Sequence, residues 1–403
     1  MKILVQKFGG TSVATADKRA MVAQKIIQAK KTGFSMVVVV SAIGRKGDPY
    51  ATDTLIEIVK EMSAEVDLRE LDIVMSCGEI ISGVLLSSTL KNMGYSCCFL
   101  SGAQAGVITD SDHGNASILK IEPKKILKKL EENSIVIVAG FQGLSEEGEI
   151  TTLGRGGSDT TAAALAVALN AESVEIYTDV DGVKTADPRL VHDTKTLEEV
   201  TYSEICQLAY EGAKVIHPRA VEIAMQKNIP LKIKCTFDNN PGTLICANGG
   251  SIERSSIRVT DRMITGITHS TNITQIKIPV PGDDSFLSKR VFNALALAGI
   301  SVDFINILPE ILLFTVKTDV AKKAVKVLEN LNIQVEKTEG CAKVATVGAG
   351  MTGIPGVVAK VVEALTEQNI KIYQSADSYT SIWCLIDEED LEKAVNALHK
   401  KFI

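Results

Sequence analysis

The segment Met36–Val40, "MVVVV", is apolar at every position, and so is Ile135–Gly140, "IVIVAG". A strand with one wet face alternates apolar and polar residues. One that is apolar throughout is covered on both faces, as parallel strands are. Working outward from these two, strand-like runs recur at Ile3–Phe8, Ser96–Leu100, Val174–Tyr177 and Leu231–Lys234. Helical stretches fall between them, around Asp17–Lys31, Asp53–Met62, Gly78–Asn92, Pro123–Glu131, Asp159–Leu169 and Tyr202–Tyr210. Strand alternating with helix predicts right-handed βαβ units and a three-layer αβα domain with a mostly parallel central sheet.

The chain has 403 residues, enough for two or three domains. The polar, Gly/Ser-rich break at Ala247–Ser256 sets the boundary, giving an α/β catalytic domain over residues 1–246. Beyond the break, "VFNALALAGISV" from Val291 and "VVEALTEQNIKI" from Val361 match at an offset of 70 residues. Each copy reads strand, helix, strand, strand, helix, strand, the ferredoxin-like βαββαβ plan. The copies are expected over residues 257–340 and 341–403. The second ends directly after its last helix and lacks a sixth strand. The unassigned Arg262–His269, "RMITGITH", can supply it, in which case the two copies are interleaved.

The balance of 43 basic and 49 acidic residues, net −6, offers no basic surface for nucleic acid. The eight cysteines contain no Cys-x-x-Cys pair and sit mostly in apolar runs, which reads as buried free thiols in a reducing compartment. No signal-peptide pattern opens the chain, and no apolar run reaches the roughly 20 residues of a membrane span. A cytoplasmic protein without a membrane partner is expected. The five histidines show no metal-site spacing.

Chemistry-bearing residues cluster in Gly-rich loops after the strands, where ligands bind in open α/β sheets. "KFGGTSV", Lys7–Val13, offers adjacent glycines for close approach of backbone N–H groups to phosphate, with Lys7 as a cation. It is not a Walker A loop, and a short Gly-Gly turn is common, so taken by itself it reads more readily as an ordinary strand-to-helix turn. In "TTLGRGGSD", Arg155 between glycines suits bidentate recognition of a carboxylate, whereas Asp159 reads also as a helix cap. Glu79 in "SCGEIISG" reads as a first-turn glutamate favoured by the helix dipole, or as a partner for a substrate ammonium. In "YTDVDGVKTADPR" the aspartates read as turn residues, with Thr178, Lys184 and Arg189 as candidates to border a nucleotide. Lys214 in "EGAKVIHPRA" is a further candidate cation.

These segments in this order, with "SGAQAGVITD" at Ser101–Asp110 and the twin C-terminal repeats, resemble the aspartokinases of the amino-acid kinase superfamily with their paired ACT domains. The resemblance spans essentially the whole chain. It implies that Lys7, Phe8, Gly9 and Gly10 lie at the ATP phosphates, and that Thr178, Asp179, Lys184, Arg189 and Lys214 line the nucleotide. It implies that Ser41, Thr52, Glu79, Arg155, Gly156, Gly157 and Ser158 surround aspartate, Glu79 on the α-ammonium and Arg155 on the α-carboxylate. Lys7 and Asp159 are implied as the catalytic pair, with Mg²⁺ arriving on ATP. An amino-acid effector (diaminopimelate, lysine or threonine) and at least a homodimer follow from the paired ACT domains, and the tail "QSADSYTSIWCLI" is similar to the diaminopimelate-sensitive subgroup. Asp283, Asp284 and Asp303 are candidates for an effector ammonium.

The sequence departs from the family pattern in three places. The loop "RKGDPY" lengthens the approach to Thr52, Lys184 stands where many relatives have an aromatic residue, and "PGDDSFLSKR" lacks the Pro-Gly helix start kept at Pro355-Gly356. The competing readings are another amino-acid kinase, acting on glutamate, N-acetylglutamate or a nucleoside monophosphate, and a non-catalytic amino-acid sensor.

Overall fold

A computed structural model describes residues 1–62, 65–213, 215–247, 264–280, 282, 286–349, 351 and 354–403. By its internal packing the chain divides into two units. The first comprises residues 1–183 and 196–209 with the described part of 214–260; the second takes 184–195, 210–213 and the described residues from 264 on.

In the first unit the strands are β1 (Ile3–Phe8), β2 (Ser35–Val40), β3 (Cys97–Leu100), β4 (Val107–Thr109), β5 (Ile118–Ile121), β6 (Ile135–Ala139), β7 (Gln142–Ser145), β8 (Ile150–Thr152), β9 (Ser173–Thr178), β10 (Glu199–Thr201), β11 (Leu231–Cys235) and β12 (Thr243–Cys246). Its helices are α1 (Ala16–Lys31), α2 (Thr52–Met62), α3 (Leu68–Asn92), α4 (Lys124–Glu131), α5 (Gly157–Leu169), α6 (Tyr202–Tyr210) and α7 (Pro218–Met225). The central sheet runs β10-β12-β11-β9-β1-β2-β6-β3 and is parallel except between β11 and β12. Valines 37 to 40 and residues Ile135–Ala139 are fully buried, as two-sided coverage demands. On one face α1 packs Val22, Ala23, Ile26 and Ile27, the i, i+1, i+4, i+5 stripe of an amphipathic helix, with Leu86 and Leu90 of α3. Alanine-rich α5 packs over β1 and β9. With no side chain larger than a methyl group at Ala162–Ala164 and Ala166, its backbone sits close to β1, the strand that carries Lys7.

One expectation fails here. Residues 68–92 form a single 25-residue helix, begun by Asp67 accepting from Arg69 N, rather than a strand followed by a helix at Gly78. Glu79 is therefore mid-helix, where the dipole at a helix start does not account for it. Among the described residues α3 is also the one helix long and apolar enough to cross a membrane. Its inner face, which carries Leu86, Leu90, Asp72 and Glu79, is buried in the unit's interior. A separate small sheet, β5-β4-β7-β8, was not anticipated.

The second unit contains β13 (Gly266–Pro279), α8 (Leu287–Leu297), β14 (Asp303–Ile307), β15 (Ile311–Lys317), α9 (Thr318–Glu329), β16 (Glu336–Val347), α10 (Val357–Thr366), β17 (Gln374–Asp377), β18 (Ser381–Asp387) and α11 (Leu391–Phe402). One sheet runs β14-β15-β13-β16-β18-β17. The downstream half of β13, Ile273–Pro279, pairs with β15 inside the first copy. Its upstream half, Gly266–Ser270, pairs with Lys343–Val347, the opening strand of the second copy. Between the halves the register breaks at a bulge, and Asn272 there takes a left-handed φ of 58°, which Asn tolerates better than most residues. The copies are interleaved as the missing strand requires, for the described part of 262–269. Residues 262 and 263, most of the 247–256 break, Lys214, Asp283 and Asp284 lie outside the described residues. Ala186 and Val191 pack in the second copy's core with Ile267, Val344 and Val361, which is why residues 184–195 associate with this unit rather than with the sheet they follow in sequence.

Candidate active site

At the carboxyl ends of β1 and β2 a cavity of about 330 Å³ opens between Lys7, Gly10, Ser41, Thr52, Glu79 and the loop from Gly154 to Asp159. Lys7 Nζ lies 2.6 Å from Asp159 Oδ1, and both side chains are largely shielded from solvent. The strand end and the first turn of α5 thus present a paired cation and anion to one space.

Gly10 is required by contact. A Cβ there would lie 2.4 Å from the carbonyl oxygen of Ala42 and 2.7 Å from that of Gly44. Gly156 is required twice over, since its φ is +72° and a Cβ would meet the His217 ring at 2.3 Å. Arg155 is therefore held on a left-handed turn that admits no bulk.

Glu79 is 2% exposed. Its Oε1 accepts from Ala42 N at 3.0 Å, while Oε2 has no hydrogen-bond partner among the described residues. Burial pushes its carboxyl up to about 8, against a smaller pull downward from the Ala42 amide. A buried carboxylate oxygen beside a cavity, lacking a protein donor, fits a ligand that brings its own cation or proton.

Of the other expected residues, Gly157 and Ser158 line the cavity, whereas Phe8 faces the core, stacked on Tyr177 at 4.7 Å. The Gly9 amide donates to Tyr177 O at 3.2 Å, so the backbone donor expected there for phosphate is already engaged. Thr178 Oγ1 donates to Asp179, which is ion-paired with Arg45. Lys184 and Arg189 pack with the second unit, and the Arg189 guanidinium is forked onto Asp187.

Several residues escaped the sequence reading. Buried Asp72 of α3 accepts from Gly114 N and Thr152 N at 3.1 Å, from the Thr152 hydroxyl, and pairs with His113 Nδ1 at 2.9 Å. Arg219 donates to Leu153 O and Ala116 O at 3.0 and 2.9 Å. Together they tie Gly114 and Ala116 to Thr152–Leu153, the stretch that leads into Gly154 and Arg155. His217 lies beside the same loop, its proton affinity lowered by burial and partly restored by Asp159. Arg45 and Lys46 also line the cavity. The "HPRA" string was a usable signal for His217 and Arg219; a lone Asp72 inside a charged helix start was not.

Among the described residues no cluster of three or more His, Cys, Asp or Glu is arranged to hold a metal by itself. A divalent ion carried on a nucleotide needs only one or two protein carboxylates beside the phosphates and water, and Asp159 fits that demand.

The Amino acid kinase family model matches residues 2–235, and an ACT domain model matches residues 336–400. Over 402 residues the chain is 49% identical to Aspartokinase 1 of Bacillus subtilis (strain 168), covering 100% of this chain and 99% of that protein. The structure of E. coli aspartokinase III in complex with aspartate and ADP (R-state) aligns with a TM-score of 0.81 at 26% identity, covering 99% of both chains. The same enzyme in complex with lysine and aspartate (T-state) aligns at 0.77, again at 26% identity, covering 100% of this chain and 99% of that one.

Proposed function

The chain belongs to the aspartokinases of the amino acid kinase family, and from this premise we propose how its cavity carries out the reaction. The reaction is transfer of the γ-phosphoryl group of ATP to the β-carboxylate of L-aspartate, giving 4-phospho-L-aspartate, the first step toward lysine, diaminopimelate, threonine and methionine. The observation that carries the assignment of roles is the buried Oε2 of Glu79, without a donor among the described residues, in the same cavity as Arg155 and the Lys7–Asp159 pair.

Glu79 takes the substrate α-ammonium and Arg155 the α-carboxylate. Ser41, Thr52, Gly156, Gly157 and Ser158 shape the remainder of the aspartate site. This leaves the β-carboxylate directed at Lys7. That nucleophile is ionised at neutral pH, since an Asp side chain titrates near 3.9, so no general base is required. The barrier lies in bringing one anion to another, and the protein lowers it by positioning and charge neutralisation. Lys7 neutralises the transferring group, and Asp159 holds the Lys7 ammonium in place. Asp159 is also the residue that would hold a Mg²⁺ arriving with ATP, which would supply further neutralisation of phosphate charge. Thr178 and Asp179, at the end of β9, border the nucleotide. Lysine, which E. coli aspartokinase III binds together with aspartate, and diaminopimelate or threonine are the effectors the ACT copies would take, in an assembly of at least two chains.

The role of Glu79 has a pH signature. Its carboxyl, raised to about 8, is mostly protonated at neutral pH, yet an ammonium needs the carboxylate. The KM for aspartate therefore falls as pH rises from 6 toward 8, by up to about tenfold per unit, and Glu79→Gln abolishes the slope while raising KM. Steady-state kinetics at fixed saturating MgATP measure this. A wild-type KM that is flat over this range, or a slope that survives in the variant, removes Glu79 from the ammonium.

A further inference from the structure

The loop that departs from the family pattern, "RKGDPY", borders the active site. Arg45 and Lys46 line the same cavity as Lys7 and Glu79. The loop is tied to the phosphate turn, because Gly44 N donates to Gly10 O at 3.0 Å. It is also internally braced: Asp48 Oδ2 accepts from Arg45 N at 2.8 Å, and the Gly47 amide donates to Thr54 Oγ1 at 3.0 Å. The Arg45 backbone is thus fixed one residue from Gly44, which is bonded to Gly10 in the turn after β1.

Its side chain is held differently. Arg45 Nη2 reaches across to Asp179 Oδ2 at 2.5 Å, a single contact with the Arg45 side chain 71% exposed. An exposed pair of this kind is worth about 0–1 kcal/mol, so it can be given up at small cost. Of the other basic groups lining the cavity, Lys7 is shielded and paired with Asp159, and Arg155 sits in its glycine loop. Lys46, whose pair with Glu57 at 2.5 Å is as exposed as that of Arg45, offers a point charge rather than a planar fork. Two anionic substrates must meet in this space, and a guanidinium offers two parallel donors to phosphate oxygens where it now gives Asp179 one.

We propose that Arg45 is a phosphate-binding residue, which leaves Asp179 to engage the terminal phosphates of the bound nucleoside triphosphate. The contact falls on the terminal phosphates because Arg45 lines the same cavity as Lys7, the residue at which the proposed roles place the transferred group. The inference rests on the site reading given above.

Calorimetric binding of the β,γ-imido analogue of ATP, of ADP and of AMP, all with Mg²⁺, to wild type and Arg45→Met separates the possibilities. The variant is expected to bind the triphosphate analogue at least about tenfold more weakly, the scale of one charge-assisted hydrogen bond, with AMP unaffected. Arg45→Lys should recover part of the loss, and the KM for aspartate should stay within about twofold, because the contact adds nothing to the amino-acid ligand. Unchanged affinity for the triphosphate analogue in a folded Arg45→Met protein overturns the proposal. So does an equal loss for AMP, or a loss confined to aspartate. If the wild-type chain itself binds neither the triphosphate analogue nor aspartate, the site reading fails instead.

Discussion

Lys7 and Asp159 are 152 residues apart in sequence (159 − 7) and meet at 2.6 Å in a shielded space. If Lys7 is the cation for the transferring group, as proposed, Lys7→Ala should lower kcat at least about 100-fold, the scale of losing one preorganised donor. Turnover near the wild-type rate in a folded Lys7→Ala protein would reject its catalytic role. At this scale the sequence reading and the cavity agree on one set of side chains, Lys7, Glu79, Arg155 and Asp159; the glycine-rich loops marked Lys7, Arg155 and Asp159, whereas Glu79 lies inside α3. Asp72 and Arg219 were not legible. Their work is to bind the backbone of distant segments, Gly114 and Thr152 in one case, Leu153 and Ala116 in the other. No local pattern encodes such partners. The reason for Glu79 was also hidden: its altered proton affinity arises from burial in mid-helix, not from a helix end.

Elements read from runs of apolar residues came out nearly residue for residue, as β1 and β6 did, since two-sided burial leaves a continuous signature. The start of α3 was missed because Leu68–Asp72 mixes charged and apolar residues without a run, and the short strands of the small sheet are only 3–4 residues long. The interleaved repeat was legible by counting, since one copy was a strand short. That reading makes a directional prediction. Ile267, 2% exposed, packs with the second copy, while Ile276, nine residues on, packs with the first. Ile267→Ala should cost about 2–5 kcal/mol in the scale of buried Ile-to-Ala changes. Hydrogen exchange should quicken in β16 and β18 and leave β14 and β15 unchanged. Acceleration in β14 and β15 instead would mean that the upstream half of β13 supports the first copy.

On the scale of the whole chain, an α/β kinase unit is followed by two ferredoxin-like copies joined through exchanged strand halves. The kinase unit and the two ferredoxin-like copies are therefore carried on one polypeptide. An effector bound to the second unit can inhibit only if its affinity differs between active and inactive states, because equal binding shifts no equilibrium. All of this presupposes the amino acid that the catalytic cavity accepts. Purified full-length protein incubated with MgATP and hydroxylamine, with L-aspartate or L-glutamate as acceptor, converts any acyl phosphate to a measurable hydroxamate. The expected result is hydroxamate with aspartate and none above background with glutamate. A folded protein that yields no hydroxamate from aspartate, or as much from glutamate, would contradict the assignment.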